Sequence, residues 1–445
     1  MRKEIIFFSL FVTAGLALSA QTLNLERARE LALANSRSLA RYELAIRNSI
    51  LDERSQLYSM LPSVSAGYNA SADFLRDWNF VSPVDTFSAG ATFSVTQVIF
   101  QGGKSFIQKA INEIATESVR KDALAEYFNV LDSADNAYYA ALESYAALEA
   151  EESTLQAAAL ALSIAEIRRE SGMINQGDYL KALADAQARE ISRNQARRNL
   201  SLNIAKLKAL IGINDTFELE QIDFSAYEDV FLRLSGITDE QADELFEIFW
   251  DMLIAANPSL AKAALNSVRA DRNLALSISD YSPTLSATVF STGLNYSTAG
   301  GFNASSQGGI TLRGNIPLDF WVLNNRIEKS RIALDSARLD YVNTESSLVM
   351  ELTTAVLNAL SQAGTVLSSR RSLEYAEKHF EYVMERYRLS QSSVSELSDA
   401  STLLINSRNT QIRASYSFLQ SLSRLRSLCA LDDEERLISI LLGNN

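Results

Sequence analysis

FSAGATFSVTQVIFQGG, residues 87–103, alternates strictly through its first ten positions. Phe87, Ala89, Ala91, Phe93 and Val95 are apolar or small, and Ser88, Gly90, Thr92, Ser94 and Thr96 separate them. A period of two is the signature of a strand with two unlike faces. The sequence on either side is rich in Ala, Leu, Glu, Gln and Arg at helical spacing, so this strand interrupts a long-helix protein. Its polar face is uncharged and its other face is greasy.

Comparable strands recur. Residues 63–74 place Val64, Ala66, Tyr68, Ala70, Ala72 and Phe74 opposite Ser63, Ser65, Gly67, Asn69, Ser71 and Asp73. Residues 302–316 alternate in the same way, with Phe302, Ala304, Ile310, Leu312 and Ile316 on one face. Residues 285–296 are less regular: the apolar phase switches between Val289 and Phe290, which predicts a bulge there or a strand boundary set in the wrong place. Each stretch has about the 9–11 residues that cross a bilayer at a tilt. The loop LRDWNFVSPVDT (residues 75–86) carries Trp78 and Phe80 where an interfacial aromatic belt would sit. Four strands cannot close a barrel, and lipid does not tolerate open edges. If the strands are in a membrane, the chain must pool them with other copies of itself.

The second half repeats the first at an offset of roughly 220 residues. LALANSRSLA (31–40) matches LIAANPSLAKA (253–263), MLPSVSAGY (60–68) matches YSPTLSATV (281–289), and IAKLKALIG (204–212) matches LSRLRSLCA (422–430). Each half orders its parts as helix, Pro, strand, loop, strand, very long helix, tight turn, helix. In the long helices a heptad runs through Tyr127, Ala134, Ala141, Leu148, Leu155 and Leu162, and through Leu352, Ala359, Val366, Leu373, Phe380 and Tyr387. About 65 residues at 1.5 Å each reach about 100 Å, far beyond a bilayer. A coiled-coil strut and the wall of a hollow duct both fit the heptads alone. The pooled strands favour the duct.

The chain has 445 residues with 5 Pro and 17 Gly, punctuation sparse enough for long uninterrupted elements. A net charge of -13 argues against nucleic acid as a partner, since phosphate binding needs a basic stripe and none is visible in the sequence. Residues 1–20 read as a secretory signal peptide: Arg2 and Lys3, an apolar run from Ile5 to Leu18 too short to span, then cleavage after Ser19 or Ala20. Cys429 is the only cysteine and reads as a small buried hydrophobe. His379 is the only histidine, so no His-based triad or His-rich metal site is available. The expectation is a protein that is not an enzyme and uses no cofactor or metal.

The order of parts resembles the TolC family of outer-membrane efflux proteins over essentially the whole mature chain. The resemblance rests on LERARELALANSRSLA (25–40), on Leu61 and Pro62, on VTQVIFQGGKS (95–105), and on the tip turns RRESGMINQGDYLKA (168–182) and RYRLSQSSVSELSDA (386–400). It implies a mainly α fold with a β-barrel portion: a duplicated long-helix coiled-coil protomer giving four strands to a trimeric 12-stranded outer-membrane barrel continued by an α-helical periplasmic tunnel. The expected division is a signal peptide (1–20), a first repeat (21–217), an equatorial linker (218–240), a second repeat (241–431) and a solvated tail (432–445). In the first repeat the strands are expected near 63–74 and 87–97 and the helices near 103–170 and 178–211. In the second, strands near 285–296 and 302–316 and helices near 322–388 and 395–430 are expected. The implied partners are two further copies, outer-membrane lipid, a periplasmic adaptor (membrane fusion) protein and an inner-membrane transporter. The implied role is the passive outer duct of an efflux pump or type I secretion system, gated at its periplasmic tips. The competing reading is a periplasmic coiled-coil adaptor or structural protein without a channel.

Glu396 and Asp399 stand one helical turn apart and match the family's acidic constriction. Looking into a three-fold pore they would form two acidic rings that favour cations and raise one another's pKa; otherwise they are helix-start charges. Asp178 and Tyr387 match a pair that tethers the closed tips. The Arg usual in that tether is replaced by Ser392, with Arg388 the candidate substitute, and Asp178 alternatively serves as an N-cap. Gly172, Gly177, Leu389 and Ser390 shape the turns an adaptor would touch, or are turn residues only.

Overall fold

The computed structural model describes residues 21–75, 84–297, 301–303 and 307–443. The expected signal peptide, Trp78 and Phe80 of the belt loop, and Ala304 lie outside the described residues. In chain order the elements are β1 (Gln21–Leu23), α1 (Leu25–Asn35), α2 (Arg37–Tyr58), β2 (Ser63–Leu75), β3 (Val84–Phe100), α3 (Lys104–Glu170) and α4 (Gln176–Ile211). There follow β4 (Phe217–Leu219), a 3-10 turn (Phe224–Tyr227), α5 (Glu228–Ser235), α6 (Asp239–Ala256), α7 (Pro258–Ser279), β5 (Thr284–Ser297), β6 (Gly301–Asn303), β7 (Gln307–Asn315), α8 (Phe320–Arg388), α9 (Val394–Leu428) and α10 (Glu434–Leu442).

The four long strands form one antiparallel sheet in the order β2-β3-β5-β7, with β6 extending β5 at its far end. The register puts Val64, Val95, Val289 and Ile310 in one row across it and Ser63, Thr96, Thr288 and Thr311 in the next row, on the other face. The hydroxyl face is cross-linked: Ser65 and Ser94 hydroxyls lie 2.8 Å apart, Thr96 and Thr288 3.0 Å apart. The phase switch at Val289 and Phe290 is not a bulge, because both residues keep unbroken partners in β3 and β7. Phe290 sits on the hydroxyl face over Gly309, where a Cβ would lie 3.0 Å from its ring. The missing side chain of one strand makes room for the ring of the next. The ladder slips elsewhere, between Ala89 and Ala91 and between Val98 and Phe100.

Below the sheet the helices keep the sheet's order. Near the strands the layer runs α2, α3, α7, α8; farther away α4 replaces α2 and α9 replaces α7, while α3 and α8 traverse its whole length. With 67 and 69 residues, those two helices each extend about 100 Å. Each repeat was expected to begin with one helix but begins with two. At the first break Ser36 has an extended ψ of 110° and caps α2; at the second Asn257 has a ψ of 120°, caps α7 and precedes Pro258 at the first helical position. The side chain of Asn35 donates to the Leu210 carbonyl at 3.0 Å, and that of Asn257 to the Leu428 carbonyl at 2.9 Å. The matched asparagines thus hold equivalent helix ends in the two halves.

The principal core lies where the breaks, β1, β4, α5, α6 and α10 wrap the long helices. Phe231, Phe249, Phe418 and Leu142 are essentially inaccessible, and burial of each such side chain contributes about 1.5–3 kcal/mol. The segment expected as a linker (218–240) therefore supplies the centre of the core, through Val230, Phe231 and Leu234 of α5. The expected solvated tail is likewise corrected: Asp433 caps α10, whose Leu437, Ile440 and Leu441 are buried. Their i, i+3, i+4 spacing gives one apolar helix face.

Candidate functional site

The sheet meets the helices at a turn built around Asp280. Lys104 at the start of α3 approaches it at 2.6 Å and Arg326 in the first turns of α8 at 2.6 Å. Burial pushes this carboxyl up, but hydrogen bonds from the two cations outweigh it and hold the pKa below the usual value. Around this junction Phe106, Trp321 and Leu61 are exposed, and Tyr281 stacks on Phe320 with ring centroids 6.0 Å apart. Amphipathic rings at the foot of a greasy sheet suit a membrane interface.

At mid-length a buried charge network ties five elements together. Asp135 of α3, fully buried, receives Arg29 of α1 at 2.5 Å, Arg426 of α9 at 2.7 Å and the Ser423 hydroxyl at 2.7 Å. Arg29 also reaches Glu434 of α10 at 3.1 Å, and Glu434 accepts from the Tyr227 hydroxyl at 2.9 Å. Burial pushes up the pKa values of Tyr139 and Tyr227 beside it. None of these partners was anticipated from the sequence. They lie from 106 to 405 residues apart, and no local pattern marks them.

The far end carries two matched turns. Gly172 has φ 71° and Ser390 φ 63°, and each closes the same pair of hydrogen bonds. Gly172 N–H donates to the Arg169 carbonyl and Met173 N–H to that of Arg168; Ser390 N–H donates to Tyr387 and Gln391 N–H to Arg386. Both are C-terminal turns through a left-handed residue, which glycine adopts without strain and serine does not. The next helices start alike. Asn175 accepts from Asp178 N–H at 2.9 Å, and Ser393 from Glu396 N–H at 3.1 Å. Asp178 and Glu396 therefore hold one structural position in two repeats, and the N-cap is Asn175, not Asp178. A Cβ on Gly177 would come 3.1 Å from the capping oxygen of Asn175. Met173 and Leu389 are exposed at the extremity.

Glu396 and Asp399 are both exposed on α9, away from buried Val394, Leu397 and Ala400. Mutual elevation of their pKa values was expected. In one protomer Glu396 instead lies below the usual value, because the Ser392 hydroxyl and Ser393 N–H donate to it. Ser392 thus caps a carboxylate where the tether Arg was sought.

Tyr387 is only 1% exposed, in a small cluster with Ala165, Ala182, Met384, Val394 and Leu397. Its hydroxyl donates to the Ala161 carbonyl at 3.3 Å rather than to Asp178. Burial raises its pKa; the charge of Arg168 lowers it and that of Asp178 adds to the rise. Arg388 does not take the tether's place: it pairs with Glu385 on its own helix at 2.8 Å. The residue against Tyr387 is Arg168, whose guanidinium lies 4.4 Å from the ring centroid and donates to the Tyr387 carbonyl. Sequence reading missed it because a basic residue in a last helical turn already has a sufficient reason to be there.

Among the described residues no helix is long and apolar enough to cross a membrane, and no group of metal-ligating side chains is assembled. The profile of the family described as Outer membrane efflux protein matches residues 28–213 and 250–430. Among solved structures, the outer-membrane channel OprN superposes with a TM-score of 0.75 at 15% identity, covering 91% of this chain and 89% of that one. CusC, studied for folding and transmembrane channel formation, gives 0.77 at 14% identity, with 91% of each chain covered. The CmeC outer membrane channel of Campylobacter jejuni gives 0.74 at 15%, covering 94% of this chain and 89% of that one. No curated protein matches. At such identities the structural likeness speaks for the fold.

Proposed function

The chain belongs to the outer membrane efflux protein family, and from that premise we propose that three copies close into a continuous duct through the outer membrane and periplasm. That it is an outer-membrane channel component of efflux, and not an enzyme, follows from the family and fold. The finer reading rests on one observation: both edges of the single-chain layer are open and apolar along their length. Among the described residues β2 and β7 each pair with one strand only. On α2, Leu44, Leu51 and Tyr58 recur every seven residues at 64%, 58% and 66% exposure; on α8, Ile332, Leu339 and Val342 follow at spacings of seven and three, at 62%, 65% and 52%. Unpaired heptad seams flanking an unpaired sheet call for the same seams of another copy. Twelve strands, four from each of three copies, make a closed barrel. Twelve helices about 10 Å apart make a ring about 38 Å across, with a lumen of about 28 Å.

In this assembly Glu396 and Asp399 ring the periplasmic entrance and favour cations. Asp178 and Tyr387 belong to the closed tip, and the turns at Gly172, Gly177, Leu389 and Ser390 meet a periplasmic adaptor that couples the duct to an inner-membrane transporter. Exposed Met173 and Leu389 support that contact as apolar anchors. The matched tips, packed on a small buried cluster separate from the principal core, support a gate there. The test is single-channel conductance of the detergent-extracted protein in a planar bilayer. A small, cation-selective conductance that rises when Glu396→Gln and Asp399→Asn are combined is expected. Silence from protein that extracts without detergent would overturn the channel.

A further inference from the structure

Arg168 is the one buried cation of the tip among the described residues, at 7% exposure, and it meets no carboxylate. It belongs to the last turn of α3, while the carbonyl it binds belongs to the last turn of α8. A guanidinium placed there faces the negative ends of two long helices at once and lies over an aromatic ring. The other hydrogen bonds that cations make between the two hairpins near the tip are exposed. Lys181 donates to the Ser395 hydroxyl at 2.8 Å, and Arg189 to that of Thr402 at 2.9 Å.

The geometry points to Arg168 as the positioning residue that holds the second tip hairpin against the first, acting through the ring and main-chain carbonyl of Tyr387. The proposal rests on reading the tip as the gate. It departs from the tether expected by resemblance, because the latch uses neither the phenol hydroxyl, which is committed to Ala161, nor Asp178, nor Arg388. Sliding α8 along α3 would strip the guanidinium from ring and carbonyl together. The ligation is buried and its acceptors are a ring and a neutral carbonyl, so this latch responds little to salt. Release must come from a mechanical displacement of the hairpins.

The experiment compares bilayer conductance of the full-length protein with Arg168→Ala, Arg168→Lys, Tyr387→Phe, Asp178→Asn and Arg388→Ala. Arg168→Ala should raise the conductance on the order of tenfold, the open population gained when roughly 1.4 kcal/mol of closing contact is lost. Arg168→Lys should recover part of the closure, since lysine keeps the charge and a donor but not the planar stack. Arg388→Ala should stay at the wild-type value, while Tyr387→Phe, which loses the hydroxyl bond to the Ala161 carbonyl of α3, and Asp178→Asn should each open the channel less than either Arg168 variant. If Tyr387→Phe or Asp178→Asn opens the channel as far as an Arg168 variant, the latch runs through the hydroxyl and the proposal falls. Should Arg168→Ala not assemble, the order of Arg168→Lys and Tyr387→Phe decides in the same way. A wild-type channel already open and indifferent to every tip variant would remove the gate itself, and no conductance at all would remove the channel.

Discussion

The middle of the molecule and its tip are tied by the same kinds of side chain in opposite ways. At mid-length arginines from two repeats converge on a buried carboxylate, inside a large apolar cluster. At the tip the cations that cross between hairpins, Arg168, Lys181 and Arg189, all meet neutral oxygens. Among the described residues the ion pair between hairpins nearest the tip is Arg413 with Glu143, at 4.0 Å. A buried charge left without its counter-charge costs several kcal/mol, whereas a hydrogen bond to a neutral acceptor contributes about 1 kcal/mol. The difference bears on the proposed gate: the waist is tied by buried opposite charges, and the end where the gate is proposed is tied by neutral partners.

The severest way to break this contrast is at Asp135. Asp135→Ala leaves the Arg426 guanidinium buried without its counter-charge and Arg29 with Glu434 alone, and should cost about 3–5 kcal/mol. The expected outcome is loss of amide exchange protection in α1, α3 and α9, with little assembled protein recovered. A mild phenotype would mean that water reaches the network and that the waist is no firmer than the tip. Next comes Asn257→Ala, which removes an N-cap and orphans the Leu428 carbonyl, for about 2 kcal/mol in thermal unfolding. Gly172→Ala should cost about 1–2 kcal/mol, because it forces a side chain into a left-handed turn with free space around it. Its effect should be confined to exchange in residues 165–182. Ser390→Gly relieves the same strain in the second turn and should stabilise that turn by about 0.5–1 kcal/mol.

The smallest effect is also the most diagnostic, since acid should act on the two regions in opposite directions. Glu396 has a depressed pKa, so its contribution is complete above about the ordinary 4.5 and is lost as pH falls through the lower folded value. Asp132, beside the waist network, has a pKa raised chiefly by burial. Its ionised form therefore burdens the fold at neutral pH, and protonation lifts that burden. A spin label on a cysteine introduced at Gln391 should gain mobility below pH 4.5, while one at Ser421 should not; buried Cys429 stays unlabelled. Equal loosening at both positions would erase the contrast.

What the sequence disclosed and what it hid divide along the same line. Period-two and heptad patterns record which face meets which medium, so the strands, the long helices and the duplication were legible in residues such as Phe93, Val95, Leu352 and Val366. The waist was not, since Arg29, Asp135 and Arg426 each read as an ordinary helix-surface charge until distant segments converge. The C-terminal helix did leave a signal, the spacing of Leu437, Ile440 and Leu441, which the acidic pair Asp432 and Asp433 obscured. At the tip, the resemblance drew notice to Tyr387 and Asp178, and only packing revealed Arg168 as the neighbour of the first. The equivalence of Asp178 and Glu396 was likewise hidden, because roles carried over from a family obscured a position shared by duplication.

The open edges of the layer also have a genetic meaning. In the proposed three-copy duct, a chain whose two flanks are finished by its siblings cannot be damaged privately. In a cell making equal amounts of sound and altered chains, random assembly into threes leaves only about one ring in eight wholly sound. Lesions that spare assembly but spoil the tip should therefore be dominant, whereas lesions at Asp135 that keep the chain from folding should be recessive.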